Sequence, residues 1–333
     1  MSLRLLPLGK PGRDNALWVA VDSGQRISRL LFDCGQCLAG LPRADLAHLD
    51  HVFFSHLHMD HVCGFDGFFR LTYNRPDKPV TLWGPPGTIA ILHHRFRGVV
   101  WNLHEGEPGE WIVREIHPDR IESARFYTTE AFAVRHEDPP AARAGAGILA
   151  DPDFTVQAEA LDHGIPSMGY VVRETDRWNV RLEALAADGL APGPWLQKVK
   201  DLRQPDNERV EVSGRVRTLG EWRGRLLQRS SGDSAAYLTD FRLDDQARAR
   251  LAALLDGCRT LVCESQYRQA EESLAREMGH LTATQAADLA RAAQAERLIL
   301  FHVSERYTAA ERAELLAEAR AVFPGARWPE HWT

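Results

Sequence analysis

No stretch of this chain approaches the ~18 consecutive apolar residues that would span a membrane, so no transmembrane helix is expected. Cysteine is scarce and odd in number, five in 333 residues, which argues against a disulfide framework and for a reducing cytosol. Cys34 and Cys37 form a lone C-x-x-C; with no second pair nearby, they read as small buried residues in a turn rather than a redox or zinc motif. The opening MSLRLLPLGKPGRDN carries only a short apolar patch broken by proline and charge, too short for a signal-peptide core. A cytoplasmic location is the expectation. Positive charge is not in excess either. A formal net charge of −6 excludes a generally basic nucleic-acid coat, so any polyanion must meet a local basic patch.

What is present is a 44% hydrophobic content that suits a globular core, in one large domain or two small ones. The densest chemistry lies in residues 51–61, HVFFSHLHMDH. Val52-Phe53-Phe54 reads as a short buried strand that Ser55 ends. His56, His58, Asp60 and His61 follow, and imidazole nitrogens with a carboxylate suit borderline divalent ions such as Zn²⁺. At a strand end alternate side chains converge. His56 and His58 can therefore share one ion while Asp60 and His61 point at a second.

The first fifty residues read as strands on a sheet edge: Leu3–Leu8, Ala16–Asp22 and Arg29–Asp33, separated by turn-rich GKPGRDN and SGQ. Residues 84–98 open with GPPG and continue as a helix bearing His93 and His94, which face different ways and read as surface or edge histidines. His104, His117 and His136 get the same bland reading. FTVQAEALDH, residues 154–163, reads as a strand delivering Asp162 and His163, and GIPSMGYVVRE as a turn and a further strand. His163 is a natural third ligand for one ion, although a satisfied core or surface histidine is the competing reading.

Residues 175–230 change texture, with many charges and little apolar periodicity. From Trp195 to Arg229 nine basic residues face five acidic ones. The run is either a solvated surface or an arm that meets a polyanion, and Trp195 and Trp222 offer either stacking surface or core anchors. Order then returns: Ala235–Asp240 is a strand ending in aspartate, LDDQARARLAALLDG an amphipathic helix, TLVCES a buried strand. Thr282–Gln294 is helical with Thr282 or Thr284 as its cap, and ERLILFHVSE is a strand ending at His302 before a helix from about Thr308. Alternating β and α with Asp240 and His302 at strand ends predicts an α/β/β/α sandwich, its site along one edge of the sheets.

HxHxDH followed by a lone His, an Asp and a final His resembles the metallo-β-lactamase fold. Within it, the chain is similar to the ribonuclease Z family, whose members trim the 3′ end of precursor tRNA. The likeness rests on LDHGIPSMGYVVRE, on the Gly-Pro segment NVRLEALAADGLAPGPWLQKVKDL, on GHLTATQAADLA and on FHVSERY. It implies a single domain over residues 1–333 with an arm protruding at about 175–230. His56, His58 and His163 would hold one zinc, Asp60, His61 and His302 the other, and Asp240 would bridge both; Mn or Fe could replace zinc. Asp60 would be the general base, and His280 would serve the scissile phosphate with Glu264 orienting or charging it.

Several residues depart from the family pattern. Met59 stands where glycine is usual, Asp240 sits in YLTD, and CESQY replaces HEATF. KPGRDN and FFRLTYNRPDKPVTLWGPPG are worded differently too. None removes a ligand, so the departures bear on substrate rather than on hydrolytic chemistry. The resulting expectation is a dimeric, dinuclear zinc phosphodiesterase acting on precursor tRNA. The alternative is a small-molecule hydrolase of the same fold, cutting a phosphodiester, thioester or sulfate ester. A non-catalytic RNA-binding module fits a complete ligand set poorly.

Overall fold

The structure, a computed structural model, describes residues 3–102 and 106–332; His104 lies outside them. The chain divides into two compact units, one made of residues 1–174 and 233–333 and the other of 175–232.

The larger unit holds an eight-stranded sheet in which sequence neighbours are sheet neighbours, from Arg4–Gly9 to His136–Ala142. Its second sheet has seven strands in the order Ala326–Arg327, Arg297–Phe301, Thr260–Glu264, Ser234–Leu238, Pro166–Glu174, Phe154–Asp162, Gly147–Ala150. Successive side chains of a strand point to opposite faces, and the burial follows that period. Leu17, Val19, Phe32 and Phe53 of the first sheet pack against Tyr170, Tyr237, Val262 and Phe301 of the second. Ala16, Trp18, Leu31 and Val52 point the other way, onto the helices Phe65–Thr72 and Thr88–Phe96. Phe65, Phe68, Phe69 and Thr72 form the buried i, i+3, i+4, i+7 stripe that seats the first of these. Ala236, Leu238, Leu261, Leu298 and Leu300 likewise meet the helices Asp245–Leu255, Ala283–Ala292 and Ala309–Val322. The architecture is an αββα sandwich. Thr282, not Thr284, caps its helix, in a capping box with Gln285.

One expectation needs correction. Of the first three strands only Arg4–Gly9 lies at an edge; Asn15–Asp22 and Ile27–Phe32 are interior. Their apolar runs are nearly continuous, which is the pattern of strands covered on both faces. Residues 175–230, read as periodicity-poor, lie in the unit 175–232, which folds around its own core of Leu185, Val199, Val212, Leu219, Trp222 and Leu226. Each of this unit's helices and strands is only four to eight residues long, too short for a period to accumulate in sequence. Trp222 is a core anchor whose Nε1 donates to Val210 O at 3.2 Å. Six of the nine cations, Lys198, Arg203, Arg215, Arg223, Arg225 and Arg229, face a carboxylate.

A partly buried titratable ring borders the core. His51 opens the strand His51–Phe53, near the rings of Phe53 and Trp83, and its Nδ1 accepts from Trp83 Nε1 at 3.3 Å. Burial pushes its pKa down to about 4 from the ordinary 6.5. The unfolded chain then binds more protons between these values, so stability falls as pH drops from about 6.5 to about 4 and levels off below. His51→Gln should flatten that part of the urea-midpoint profile by on the order of 2–3 kcal/mol. Parallel profiles for variant and parent would refute this assignment.

Candidate metal centre

The candidate ligands are delivered mainly by chain reversals at strand ends. In the first sheet Ile27–Phe32, His51–Phe53, Val80–Gly84 and Glu110–Ile116 run parallel, as do Ser234–Leu238, Thr260–Glu264, Arg297–Phe301 and Ala326–Arg327 in the second. Asp33 and Ser55–His58 emerge from the C-terminal ends of the first set; Asp240, Glu264 and His302 lie at those of the second. His163 comes from the reversal between Phe154–Asp162 and Pro166–Glu174, and Asp60 and His61 from the short helix Met59–Val62. Asp33, Asp240 and His302 have φ of 60°, 52° and 48°. Such left-handed conformations cost energy outside glycine and gather at functional sites.

The structure brings all seven predicted metal ligands together. His56 Nε2 lies 3.0 Å from His58 Nδ1 and 3.7 Å from Asp240 Oδ2, and His163 Nε2 lies 3.6 Å from the same oxygen. On the other side His61 Nε2 lies 3.3 Å from Asp60 Oδ2 and 3.5 Å from Asp240 Oδ2, while His302 Nε2 lies 3.7 Å from Asp60 Oδ2. Ligands about 2.0–2.1 Å from a tetrahedral ion sit about 3.3–3.4 Å apart, close to these spacings. Two clusters thus share one aspartate.

The hydrogen bonds behind the rings settle which nitrogen faces inward. His61 Nδ1 donates to Asp33 at 2.7 Å, and His163 Nδ1 donates to Gly279 O at 2.8 Å. Ser55 Oγ spends its only proton on Asp33, so at 3.1 Å it accepts from His56 Nδ1. All three rings therefore turn Nε2 to the centre, the arrangement found behind metal-bound histidines. His61 Nε2 and His302 Nδ1 are buried without a hydrogen-bond partner among the described residues. Orphaned imidazole nitrogens beside carboxylates are poorly explained by packing, and the donor set fits two divalent ions.

Electrostatics agree. Burial, with His61 nearby, pushes His56 down to about 2, and burial lowers His163, keeping both rings in the neutral ligand form. Burial opposes charge on Asp60, yet the neighbouring imidazoles of His302 and His61 hold it below the carboxylate range. Burial likewise opposes ionised Asp240, but His302 and His61 hold its pKa well below normal. At His61 burial is outweighed by Asp33 and Asp240, which raise its pKa well above normal. Two carboxylates within 3.3–3.5 Å of one buried nitrogen make this spot cation-seeking.

His280 and Glu264 adjoin the clusters. His280 Nδ1 donates to Glu264 Oε2 at 2.9 Å, while the other oxygen, Oε1, accepts from Phe241 N. Burial disfavours the imidazolium, but Glu264 and then Asp240 raise the His280 pKa to about 9. Of the other histidines, His93 bonds Phe132 O, His136 pairs with Glu130, and His117 lies between Glu115 and Glu122. The sequence reading gives no role to Asp33, Ser55, Tyr237 or Gly279. Arg29–Asp33 ends in aspartate as Ala235–Asp240 does, but what Asp33 holds is set by His61, 28 residues away.

The fold and this centre define a class. The model of the beta-lactamase superfamily domain matches residues 28–177 and 200–303. The metallo-beta-lactamase fold protein YhfI from Bacillus subtilis shares the fold, with a TM-score of 0.55 and 16% identity over 98% of this chain and 95% of its own. So does human tRNase Z, short form, with a TM-score of 0.51 and 20% identity over 92% and 94%. Ribonuclease Z of Deinococcus radiodurans is 44% identical over 326 residues, 98% of this chain and 97% of its own length. The chain belongs to the ribonuclease Z family, hydrolases of that superfamily.

Gly279 offers a test of the ligand set. Its φ is +77°, and a Cβ there would stand 2.7 Å from His163 Nδ1. Gly279→Ala should displace His163 and weaken binding of one divalent-ion equivalent by about 10–100-fold. Metal titration read by calorimetry checks this; two unchanged equivalents would remove His163 from the set.

Proposed function

We propose that this chain is an endoribonuclease of the ribonuclease Z type that trims the 3′ end of precursor tRNA, using two zinc ions. The carrying observation is the likeness to the Deinococcus ribonuclease Z over 98% of the chain, which takes in the metal-centre residues and the unit 175–232 alike. His56, His58 and His163 would hold one ion, Asp60, His61 and His302 the other, and Asp240 both. When bound, such a pair lowers the pKa of water and neutralises phosphoryl oxygens during in-line displacement.

The chain's own groups do the rest. Asp60, kept ionised by His302 and His61, accepts a proton from the attacking water. His280, kept protonated by Glu264, donates to the departing 3′ oxygen. Attack at phosphorus leaves a 3′-hydroxyl on the tRNA and a 5′-phosphate on the trailer. His280→Ala should lower kcat by about 10²–10⁴-fold while both metal equivalents remain bound. Equal loss of metal would make His280 a ligand instead. Mapping the cut end of an unprocessed transcript tests the substrate: an intact transcript beside a hydrolysed small ester would favour the small-molecule reading.

The unit 175–232, with eleven basic and eight acidic residues in a chain of net charge −6, is the proposed RNA-holding arm. A cytoplasmic homodimer is part of the same proposal. Glu174 N donates to Asp233 O at 2.9 Å, so the strands that flank the unit are already hydrogen-bonded at its base. A short turn can therefore replace residues 175–232. The shortened chain should lose cleavage of precursor tRNA yet keep hydrolysis of bis-p-nitrophenyl phosphate; equal loss of both would count against a holding role.

A further inference from the structure

Residues 240–242 reach three parts of the site in succession. Asp240 is the aspartate that the two clusters share. Phe241 N donates to Glu264 Oε1 at 3.0 Å, and the other oxygen of Glu264 holds the His280 ring. Arg242 N donates to Asp162 O at 2.7 Å, beside His163. The proposed chemistry uses Asp240 and Glu264 but gives the Arg242 side chain no part.

That side chain joins two segments. Its Nη1 donates to Asp162 Oδ2 at 2.9 Å, while Asp162 Oδ1 accepts from Gly164 N at 2.8 Å. Both carboxylate oxygens thus pin the reversal that carries His163. The Arg242 Nε donates to Arg276 O at 3.2 Å, in the last turn of the helix Glu272–Met278. Carbonyls of a last turn lack partners inside the helix, and a cation there is favourable. Gly279 ends this helix with φ of +77°, and His280 follows, its N donating to Ala275 O at 2.8 Å. The guanidinium therefore spans from the His163 reversal to the helix end that bears His280. The two imidazole rings stand 4.9 Å apart, centroid to centroid.

His163 Nδ1, donating to Gly279 O, already links the same segments. A single hydrogen bond leaves a segment free to pivot about it. A second attachment at Arg276 removes that pivot. The Arg242–Asp162 pair is exposed, and exposed pairs add little to stability, so what it supplies is geometry. Only a planar guanidinium offers diverging donors to a carboxylate and a carbonyl at once; an ammonium is a point charge.

We infer that Arg242 is a positioning residue: its fork clamps the helix end before His280 to the reversal carrying His163, and so fixes the reach of His280 toward the departing oxygen. The inference rests on the proposed function for the role of His280, but not for the clamp itself.

The test is Arg242→Ala and Arg242→Lys in the full-length, zinc-loaded protein; both keep the backbone bond from residue 242 to Asp162 O. In Arg242→Ala, amide hydrogen exchange at residues 279–281 should quicken by about tenfold or more, with residues 260–264 unchanged. Two aryl esters of thymidine 5′-monophosphate then separate the roles, since p-nitrophenolate departs without a proton and phenolate needs one. On the phenyl ester kcat should fall about 10–100-fold with KM nearly unchanged, and on the p-nitrophenyl ester by no more than about twofold. Arg242→Lys keeps the charge without the fork and should match Arg242→Ala on both esters. Full recovery by lysine, or a raised KM with kcat unchanged, makes Arg242 a charge that meets the substrate and overturns the inference. Proportional loss on both esters makes it merely structural and overturns it too, as does unchanged exchange at 279–281. A His280→Ala protein that spares the phenyl ester overturns instead the proton-donor role in the proposed function; the exchange arm still decides the clamp.

Discussion

A buried carboxylate ties the two sheets to the metal centre. Asp33 is inaccessible to solvent, and its oxygens accept from Ser55 N, Ser55 Oγ, His61 Nδ1 and Tyr237 Oη at 2.7–2.8 Å. Ser55 and His61 follow a strand of the first sheet, whereas Tyr237 lies in the second. A buried ion is costly unless nearly every lone pair is satisfied, and here four donors satisfy it. Removing one partner from such an arrangement typically costs about 3–5 kcal/mol. The same contacts fix the rotation of His61 and, through Ser55, of His56. Sheet packing and ligand geometry are therefore one problem with one solution.

The rest of the site repeats this logic at smaller scale. Each ring with an inward Nε2 is held from behind by a residue that is not itself a ligand: Asp33 for His61, Ser55 for His56, and the Gly279 carbonyl for His163. Glu264 does the same for His280 while its other oxygen accepts from Phe241 N, beside Asp240. Positive φ at Asp33, Asp240 and His302 shows where the backbone is bent out of its preferred range to turn these side chains inward. Packing between the sheets supplies the stability against which that bend is held.

The unit 175–232 is organised differently. Its core is small and centred on Trp222, and its surface is laced with ion pairs such as Lys198–Glu208 and Arg229–Asp176. Exposed pairs of this kind contribute little to stability and are weakened by salt. They remain available to exchange partners when a stronger anion arrives, which suits an element proposed to meet RNA.

The amino-acid sequence alone determined the sandwich and the cluster His56 to His61, because strand patterning and donor type are written locally, and its family resemblance completed the seven ligand candidates. Val52 to Phe54 must be buried and His56 to His61 must follow a strand end, whatever surrounds them. Asp33 and Gly279 were out of reach for the opposite reason. A carboxylate after a strand, or a glycine before a helix, acquires a role only when a distant histidine arrives beside it, 28 residues away for His61 and 116 for His163. The arm's core was hidden likewise, since its elements are too short to show a period and Trp222 is covered only once they fold together. Folding decided which nitrogen of each ring faces inward, because that choice belongs to the partner behind the ring and not to the ring.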